Sequence, residues 1–366
     1  MGVPERRALP TVVPSYGSEL ERKVFDNAAD LEDRLAEPSP ALVSDLGDFA
    51  GRQGDLVVLG AGGKMGPSLC QLARRGLDAA GRRDVRVIAV SRWSNQAAEQ
   101  SLRAAGVETR TFDLTPDADL AGLPDAGGVV YMVGAKFGSS GRPAHTWAVN
   151  ALLPDAVARR YADTPIAAFS TGNVYPLTPV SSGGCTEDDP PGPVGEYAMS
   201  CLGRERAFEY ASIERGTPVT LIRLNYAVEM RYGVLVDIGT AVRDQRPVSL
   251  ATSRVNVVWQ RYANEVALRS LLHASVPAFV LNLTGPETAS VRRIAHRFGD
   301  LLGMEPTFTG DDAATALLSD AGRCHRMFGY PDLSLQALVD ATADWLAKGG
   351  TVWDKPTKFE RRDGTF

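Results

Sequence analysis

The chain has 366 residues, 44% hydrophobic and 23% charged, which is enough to bury a full core as one large domain or a domain carrying a cap. Its formal net charge of −5, with no basic block interleaved with aromatics, gives no basis for nucleic-acid binding, and no apolar run reaches membrane-spanning length. The first twenty residues are broken by Pro4, Pro10 and Pro14 and do not read as a signal peptide, so a cytoplasmic location is expected. Cys70, Cys185, Cys201 and Cys324 are scattered without paired spacing, as are the four histidines; free thiols are expected, and no metal site.

Residues 1–52 precede the first clear strand. Leu20, Val24, Phe25, Ala28, Leu31 and Leu35 fall at helical spacing within Ser18 to Leu35, predicting a helical extension that packs on the outside of the fold or on a partner subunit. From Asp55 an apolar run, Leu56 to Leu59, meets a glycine cluster and then helix-period residues Leu69, Leu72 and Ala73. The pattern is buried strand, tight turn, helix. Gly60, Gly63 and Gly66 sit three apart, where a backbone turns sharply, approaches a pyrophosphate and packs a helix against a strand. The N–H groups opening that helix then face phosphates. The stretch reads as a dinucleotide-binding opening, with Gly60, Gly62, Gly63, Lys64, Met65 and Gly66 as expected cofactor contacts.

Val85 to Val90 is the predicted second strand, ending in Ser91 and Arg92 where the adenosine ribose is read. An acidic residue there suits a free 2′-hydroxyl and an arginine a 2′-phosphate, so Arg92 favours NADP, with NAD as the alternative. A third strand, Gly106 to Leu114, ends in Asp113 and Leu114 beside the expected adenine position. A fourth, Gly128 to Val133, runs into Gly134, Ala135 and Lys136, with Val133 and Gly134 also expected at the cofactor. Thr146 to Tyr161 is a helix, and Ile166 to Phe169 a fifth strand. Strands alternating with helices predict an α/β fold: a Rossmann, doubly wound parallel sheet.

A Gly/Pro/Ser-rich loop, Leu177 to Gly195, leads into a helix over Glu196 to Ile213 and a strand over Pro218 to Leu224. Later segments include Gly233 to Val242, Val255 to Trp259, a helix over Asn264 to His273, Phe279 to Asn282, and helices near Val291 to Leu302 and Leu333 to Leu346. The expected organisation is an extension over 1–52 and a dinucleotide-binding domain over 53–225, continued by 255–275. A smaller mixed α/β substrate-binding cap takes 226–254 and 276–366. The polar tail, Lys355 to Phe366, is expected to be a surface strap.

The glycine loop, Asp113-Leu114, the run Ser170-Thr171-Gly172-Asn173-Val174-Tyr175 and the run from Gly195 to Glu205 together resemble the extended short-chain dehydrogenase/reductases, the NAD-dependent epimerase/dehydratase family. The likeness covers roughly residues 53 to 300. It implies that Tyr197 is the catalytic tyrosine, that Thr171 hydrogen-bonds the reacting oxygen, that Glu205 is structural, and that Asn150 is a structural or proton-relay residue near the cofactor. It also implies a homodimer paired through the helix containing Tyr197 and the strand-four crossover.

One position departs from that pattern. The family's lysine, four residues after the tyrosine, is Cys201 here. That lysine holds the nicotinamide ribose and favours tyrosinate, and a thiol supplies no such charge. An unperturbed tyrosine has a pKa of about 10, so roughly one molecule in a thousand is ionised at neutral pH. Tyr197 and Cys201 share a helix face, which keeps Cys201 at the site. Three readings stay open: Lys136 replaces the missing cation; the tyrosine acts only as a hydrogen-bonding acid, as in carbonyl reduction; or the protein binds dinucleotide without turnover. Cys201 itself is read as a small packed residue ahead of a nucleophile.

Asn173, Asn225 and Arg231 are the expected substrate contacts, Arg231 through a fork onto a carboxylate or phosphate. Trp259-Gln260 stands where relatives often carry an acidic residue. The sequence therefore predicts an NAD(P)-dependent oxidoreductase or epimerase acting by hydride transfer on a hydroxyl or carbonyl carbon of a sugar-like or hydroxy-acid small molecule. A dinucleotide-binding sensor is the alternative.

Overall fold

The structure is a computed structural model that describes residues 25–49, 54–136 and 141–365. Among these, seven strands form one sheet: β1 (Leu56–Leu59), β2 (Val87–Ser91), β3 (Glu108–Thr111), β4 (Gly128–Tyr131), β5 (Ile166–Thr171), β6 (Val219–Leu224) and β7 (Phe279–Leu283). All pairings are parallel and the order is β7-β6-β5-β4-β1-β2-β3. The order reverses between β1 and β4, where Leu56 lies opposite Gly128 and Leu59 opposite Tyr131. At such a point two helices leave in opposite directions and open a crevice beyond the carboxyl ends of the strands. This is the expected doubly wound Rossmann sheet.

Every residue of β1 is buried, because helices cover both faces and a strand covered twice has no polar side. Leu56 and Val58 join one apolar layer, Val57 and Leu59 the other. The first layer is built from α1 (Ala28–Leu35), α2 (Pro40–Asp48), α3 (Gly66–Ala79), α4 (Gln96–Ala104), α9 (Gln260–Arg269) and α11 (Gly322–Phe328). The second is built from α6 (Leu153–Arg160) and α7 (Gly195–Arg215). α5 (Pro143–Trp147) runs into α6 through a π-helical turn, Ala148–Leu152. Beyond the sheet, α8 (Val234–Arg243), α10 (Val291–Leu302) and α12 (Leu335–Ala347) pack together, with two-stranded pairings such as 254–255 against 289–290.

Three expectations change. The first helix begins at Ala28, where Asn27 accepts hydrogen bonds from the N–H groups of Ala29 and Asp30. Leu20 and Val24 lie outside the described residues. The extension is also part of the core: Leu31, Leu35, Leu42, Leu46 and Phe49 are buried, and α1 and α2 lie on α3 and α9. Third, Phe279–Leu283, placed in the cap from sequence, pairs with β6 as the outer strand of the central sheet. Its short apolar run carries no mark of its partner, since an edge strand's position is set by contacts distant in sequence.

Because α1 is core, Leu35→Ala is expected to lower the unfolding free energy by about 3 kcal/mol. Met304→Ala, at an exposed side chain, should stay within about 0.5 kcal/mol. Urea unfolding followed by circular dichroism decides between them, and equal small losses would remove α1 from the core.

Candidate functional site

The glycine turn sets the entrance. Gly60 has φ +86° directly after β1, and a Cβ there would stand 3.0 Å from the backbone at Met132 and Val133. Gly66 opens α3, and a Cβ on it would lie 2.2 Å from the carbonyl oxygen of Ala61. Only glycine lets strand and helix approach this closely. No side chain caps α3, so the N–H groups of its first turn face the crevice between β1 and β4. Gly63 is exposed, with nothing nearer to a Cβ than 3.5 Å. Open N–H groups, an exposed glycine and a helix dipole are the parts of an anion cradle, and they fit a dinucleotide pyrophosphate.

From this turn a cleft of about 420 Å³ runs along the carboxyl ends of β4, β5 and β6. It is lined by Gly60, Gly63, Lys64, Met65 and Gly66 at one end, and by Gly134, Lys136, Thr171, Asn173, Tyr197 and Asn225 at the other. These expected contacts are therefore brought together. Ser91 ends β2 against the turn, where a Cβ on Gly62 would meet its Oγ at 2.4 Å. Leu114 is buried and Val133 half-buried in the adjoining apolar layer. Arg92 and Asp113 are exposed and 3.7 Å apart, outside the cleft.

Tyr197 lies one turn into α7, its side chain hydrogen-bonded with those of Thr171 and Cys201. Thr171 Oγ1 also accepts the N–H of Asn173 at 3.2 Å. Burial, reinforced by Cys201, raises the Tyr197 pKa well above its ordinary value. Burial likewise raises that of Cys201, which is fully buried among Val174, Tyr175 and Leu317 and packs as a neutral thiol.

The positive charges around Tyr197 come from two directions. Lys136 stands with Nζ 5.8 Å from the centre of the Tyr197 ring, and burial lowers its pKa to about 8. The second cation is Arg204, a residue of the Gly195 to Glu205 run to which the sequence pattern assigns no role. It lies seven residues from Tyr197 and three from Cys201, so all three share one face of α7. The residue is 5% exposed and lines the cleft, its guanidinium donating to Phe169 O and to Asn150 Oδ1, both at 2.8 Å. Arg204 opposes the rise at both Tyr197 and Cys201. The spacing from Tyr197 was the signal that could have found it.

Two expected contacts have other duties. Asn150, expected near the cofactor, is fully buried in the π turn. Its Oδ1 accepts Ala135 N–H at 2.9 Å as well as Arg204, and its Nδ2 donates to Ala135 O at 3.0 Å and Ser200 Oγ at 2.9 Å. Its hydrogen-bonding capacity is used within the protein, where it fixes the segment carrying Lys136. Arg231, expected at the substrate, is paired with Glu229 at 3.1 Å and with Glu32 of α1, and stacks on Trp353. It is outside the cleft lining because two carboxylates turn it toward the N-terminal helix.

Glu205 occupies the structural position expected of it. Its carboxylate is fully buried, accepts Ser170 Oγ at 2.5 Å and pairs with Arg223 at 2.7 Å; Arg223 donates to Tyr175 at 2.7 Å, and Tyr175 to Asn282 at 2.8 Å. The C-terminal strap supplies a wall the sequence did not announce. Thr357 lines the cleft, donating its N–H and Oγ1 to Asp237 Oδ2 at 2.8 and 2.6 Å, and Phe359 enters the core. Among the described residues no histidine, cysteine and carboxylate group is arranged to hold a metal.

The sequence model described as the NAD dependent epimerase/dehydratase family matches residues 56–228. No curated protein matches the chain. Among solved structures, UDP-glucuronic acid 4-epimerase from Bacillus cereus, in complex with NAD, is 17% identical with a TM-score of 0.67, covering 80% of this chain and 99% of its own. UDP-glucose 4-epimerase from Thermotoga maritima, with UDP-glucose, is 15% identical with a TM-score of 0.64, covering 81% and 99%. A dTDP-glucose 4,6-dehydratase from Bacillus anthracis, in complex with NAD, is 14% identical with a TM-score of 0.65, covering 81% and 97%. These likenesses establish a shared fold.

Burial of lysines at this site makes stability depend on pH. The Lys64 pKa is lowered to about 7, by burial first and then by Lys136 and Lys355, with Asp237 acting in the opposite direction. Between these lowered values and the ordinary one of 10.5 the unfolded chain binds more protons, so this contribution to stability rises with pH. The double variant Lys64→Met/Lys136→Met should be more stable than wild type at pH 7, and the gap in Tm should narrow toward pH 9 at constant ionic strength. A gap independent of pH would mean that both ammoniums are solvated.

Proposed function

We propose that the chain is an NAD-dependent enzyme of the extended short-chain dehydrogenase/reductase class, acting by hydride transfer at a hydroxyl or carbonyl carbon of a sugar-like or hydroxy-acid small molecule. The observation that carries this reading is one cleft containing both the glycine turn and the Thr171–Tyr197 pair. The family match over the same residues, and the NAD named with two of the similar structures, support it.

When bound, the nicotinamide ring supplies or accepts the hydride. The protein's own part is proton transfer and orientation. Thr171 Oγ1 accepts from Asn173 and is hydrogen-bonded to Tyr197, so a substrate oxygen seated between the two hydroxyls would take over the Thr171 proton. Tyr197 rests protonated, so its first act is donation to a carbonyl oxygen. The tyrosinate left behind faces Arg204, which keeps its charge, and Lys136. Carbonyl reduction is therefore the direction the resting site favours, and the missing lysine at Cys201 is answered by charge from below and beside the tyrosine. Arg92 favoured NADP from sequence, but it shares its charge with Asp113, whose carboxylate suits a free 2′-hydroxyl and repels a 2′-phosphate. The cofactor proposed is NAD(H).

A homodimer is part of the same proposal. Met199, Tyr210 and Ile213 on α7 and Leu152 in the π turn are exposed, Tyr210 and Ile213 by 57% and 62%. A row of large apolar side chains on neighbouring helices is suited to a second copy. Ile213→Glu should convert a dimer to a monomer in light scattering, whereas a monomeric wild type would remove the dimer.

Fluorescence titration is expected to show NADH binding, and tighter binding of NADH than NADPH. Gly63→Asp, at an exposed position with room for the side chain, should weaken NADH roughly tenfold or more without changing Tm. With any carbonyl substrate found by screening NADH oxidation, Tyr197→Phe should cut kcat by about a hundredfold or more while leaving NADH affinity nearly unchanged. Absence of NADH and NADPH binding would overturn the assignment. Binding with Tyr197→Phe as active as wild type would overturn the role of the tyrosine, and binding without turnover would favour the sensor.

A further inference from the structure

Beyond Thr171 and Tyr197 the cleft meets the C-terminal strap, residues 353–365. Asn173 and Tyr226 line the cleft and also a second space behind it, of only about 30 Å³, whose outer walls are Phe359, Arg361, Arg362 and Gly364. That is room for about one or two water molecules. Three fixtures hold the strap in place. Thr357 donates twice to Asp237 of α8, at 2.8 and 2.6 Å, and Phe359 is 7% exposed within the core. The Arg362 guanidinium donates to Ala251 O at 3.1 Å, to Thr315 O at 2.6 Å and to Thr315 Oγ1 at 2.5 Å. Gly364 and Gly195, both at positive φ, meet backbone to backbone, and a Cβ on either would lie 2.7 Å from the Cα of the other. Only glycine permits that approach, and Gly195 opens α7 two residues before Tyr197.

We propose that the strap is the specificity element of this site: Phe359 and Arg362 fill the groove beyond Asn173 and Tyr226, so that the substrate is a small, free carbonyl or hydroxyl compound ending within the cleft, and a sugar carrying a nucleotide is excluded. This rests on the hydride-transfer reading above, which sets the cofactor at the glycine turn and the reacting carbon at Tyr197. A tail on that carbon, leading away from the cofactor, meets Thr357 on the side of α8 and Phe359 and Arg362 on the side of Asn173. Displacing the strap would take Phe359 out of the core and leave the carbonyls of Ala251 and Thr315 without the donors they now have, so the groove is filled at rest.

The test is thermal unfolding of the full chain saturated with NADH and titrated with UDP-glucose, with trypsin cleavage after Lys358, followed by mass spectrometry, as the measure of strap seating. Wild type should show no saturable rise in Tm up to about 10 mM UDP-glucose. The double variant Arg362→Ala/Gly364→Leu removes one fixture and wedges another; it should be cleaved roughly tenfold faster or more, and should show a saturable rise, since the carbonyls of Ala251 and Thr315 then face an open groove. Arg362→Ala alone, which leaves the glycine contact intact, should move both readouts in the same direction by less, and it carries the test where the double variant does not fold. Saturable binding of UDP-glucose by wild type would overturn the proposal. So would a variant that is cleaved faster and still takes no UDP-glucose, or cleavage unchanged in both variants, which would mean that Arg362 and Gly364 do not hold the strap. Failure of wild type to bind NADH would instead count against the hydride-transfer reading, and the UDP-glucose and trypsin measurements on the chain alone would still decide the strap.

Discussion

Arg204 donates to Phe169 O at the end of β5 and to Asn150 Oδ1 in the π turn, and these contacts hold sheet, turn and α7 around one buried guanidinium. Asn150 passes the constraint on by clasping both polar groups of Ala135, the residue before Lys136. The next residue on α7, Glu205, pairs with Arg223 of β6 on the side facing the sheet. Adjacent residues of one helix thus fix the site and the scaffold together. A buried pair of this kind contributes little net stability, yet removal of one partner costs about 3–5 kcal/mol. The geometry around Tyr197 is therefore held by groups that are difficult to move singly.

The neutral residue at 201 belongs to the same arrangement. A lysine there would place a second cation one turn from Arg204, on the same face and away from water. Cys201 removes that conflict and lets the arginine sit beneath the tyrosine. The charge near Tyr197 then comes from a group that keeps its proton at every working pH, and from Lys136, which does not. Tyr197 nevertheless rests protonated because burial outweighs Arg204. A protonated tyrosine of this kind suits the proposed role of proton donor, unlike one that a lysine prepares as a tyrosinate.

Features carried by short spacing were legible in the sequence. Gly60 and Gly66 announced the turn because only glycine fits a positive φ or so close a helix, and the alternating strands gave the sheet. Thr171, Asn173, Tyr197 and Asn225 were found through a pattern of residues and do line one cleft. What stayed hidden depends on partners far along the chain. Arg231 looked available because nothing near it reveals Glu32, and Asn150 looked cofactor-facing because its saturation by Ala135, Ser200 and Arg204 exists only once α7 is packed. Lys64 was placed with its backbone, whereas Tyr232 determines where its ammonium goes.

The same long-range contacts tie both ends of the described chain to Arg231, and the C-terminal one goes on to line the cleft. Arg231 reaches α1 through Glu32, and its carbonyl accepts the N–H of Trp353 at the start of the strap. The strap then gives Thr357 to Asp237, Phe359 to the core, and Arg362 to the carbonyls of Ala251 and Thr315. Asp237 is thereby shared between strap and lysines, since it opposes the fall in pKa at both Lys64 and Lys136. If the strap shifted, Asp237 would lose the two hydrogen bonds that favour its charged form against burial, and its support for the charged form of both lysines would weaken. The wall beside Tyr197 and the electrostatics in front of it are consequently one system, tied to the sheet through residues that neither bind nor react.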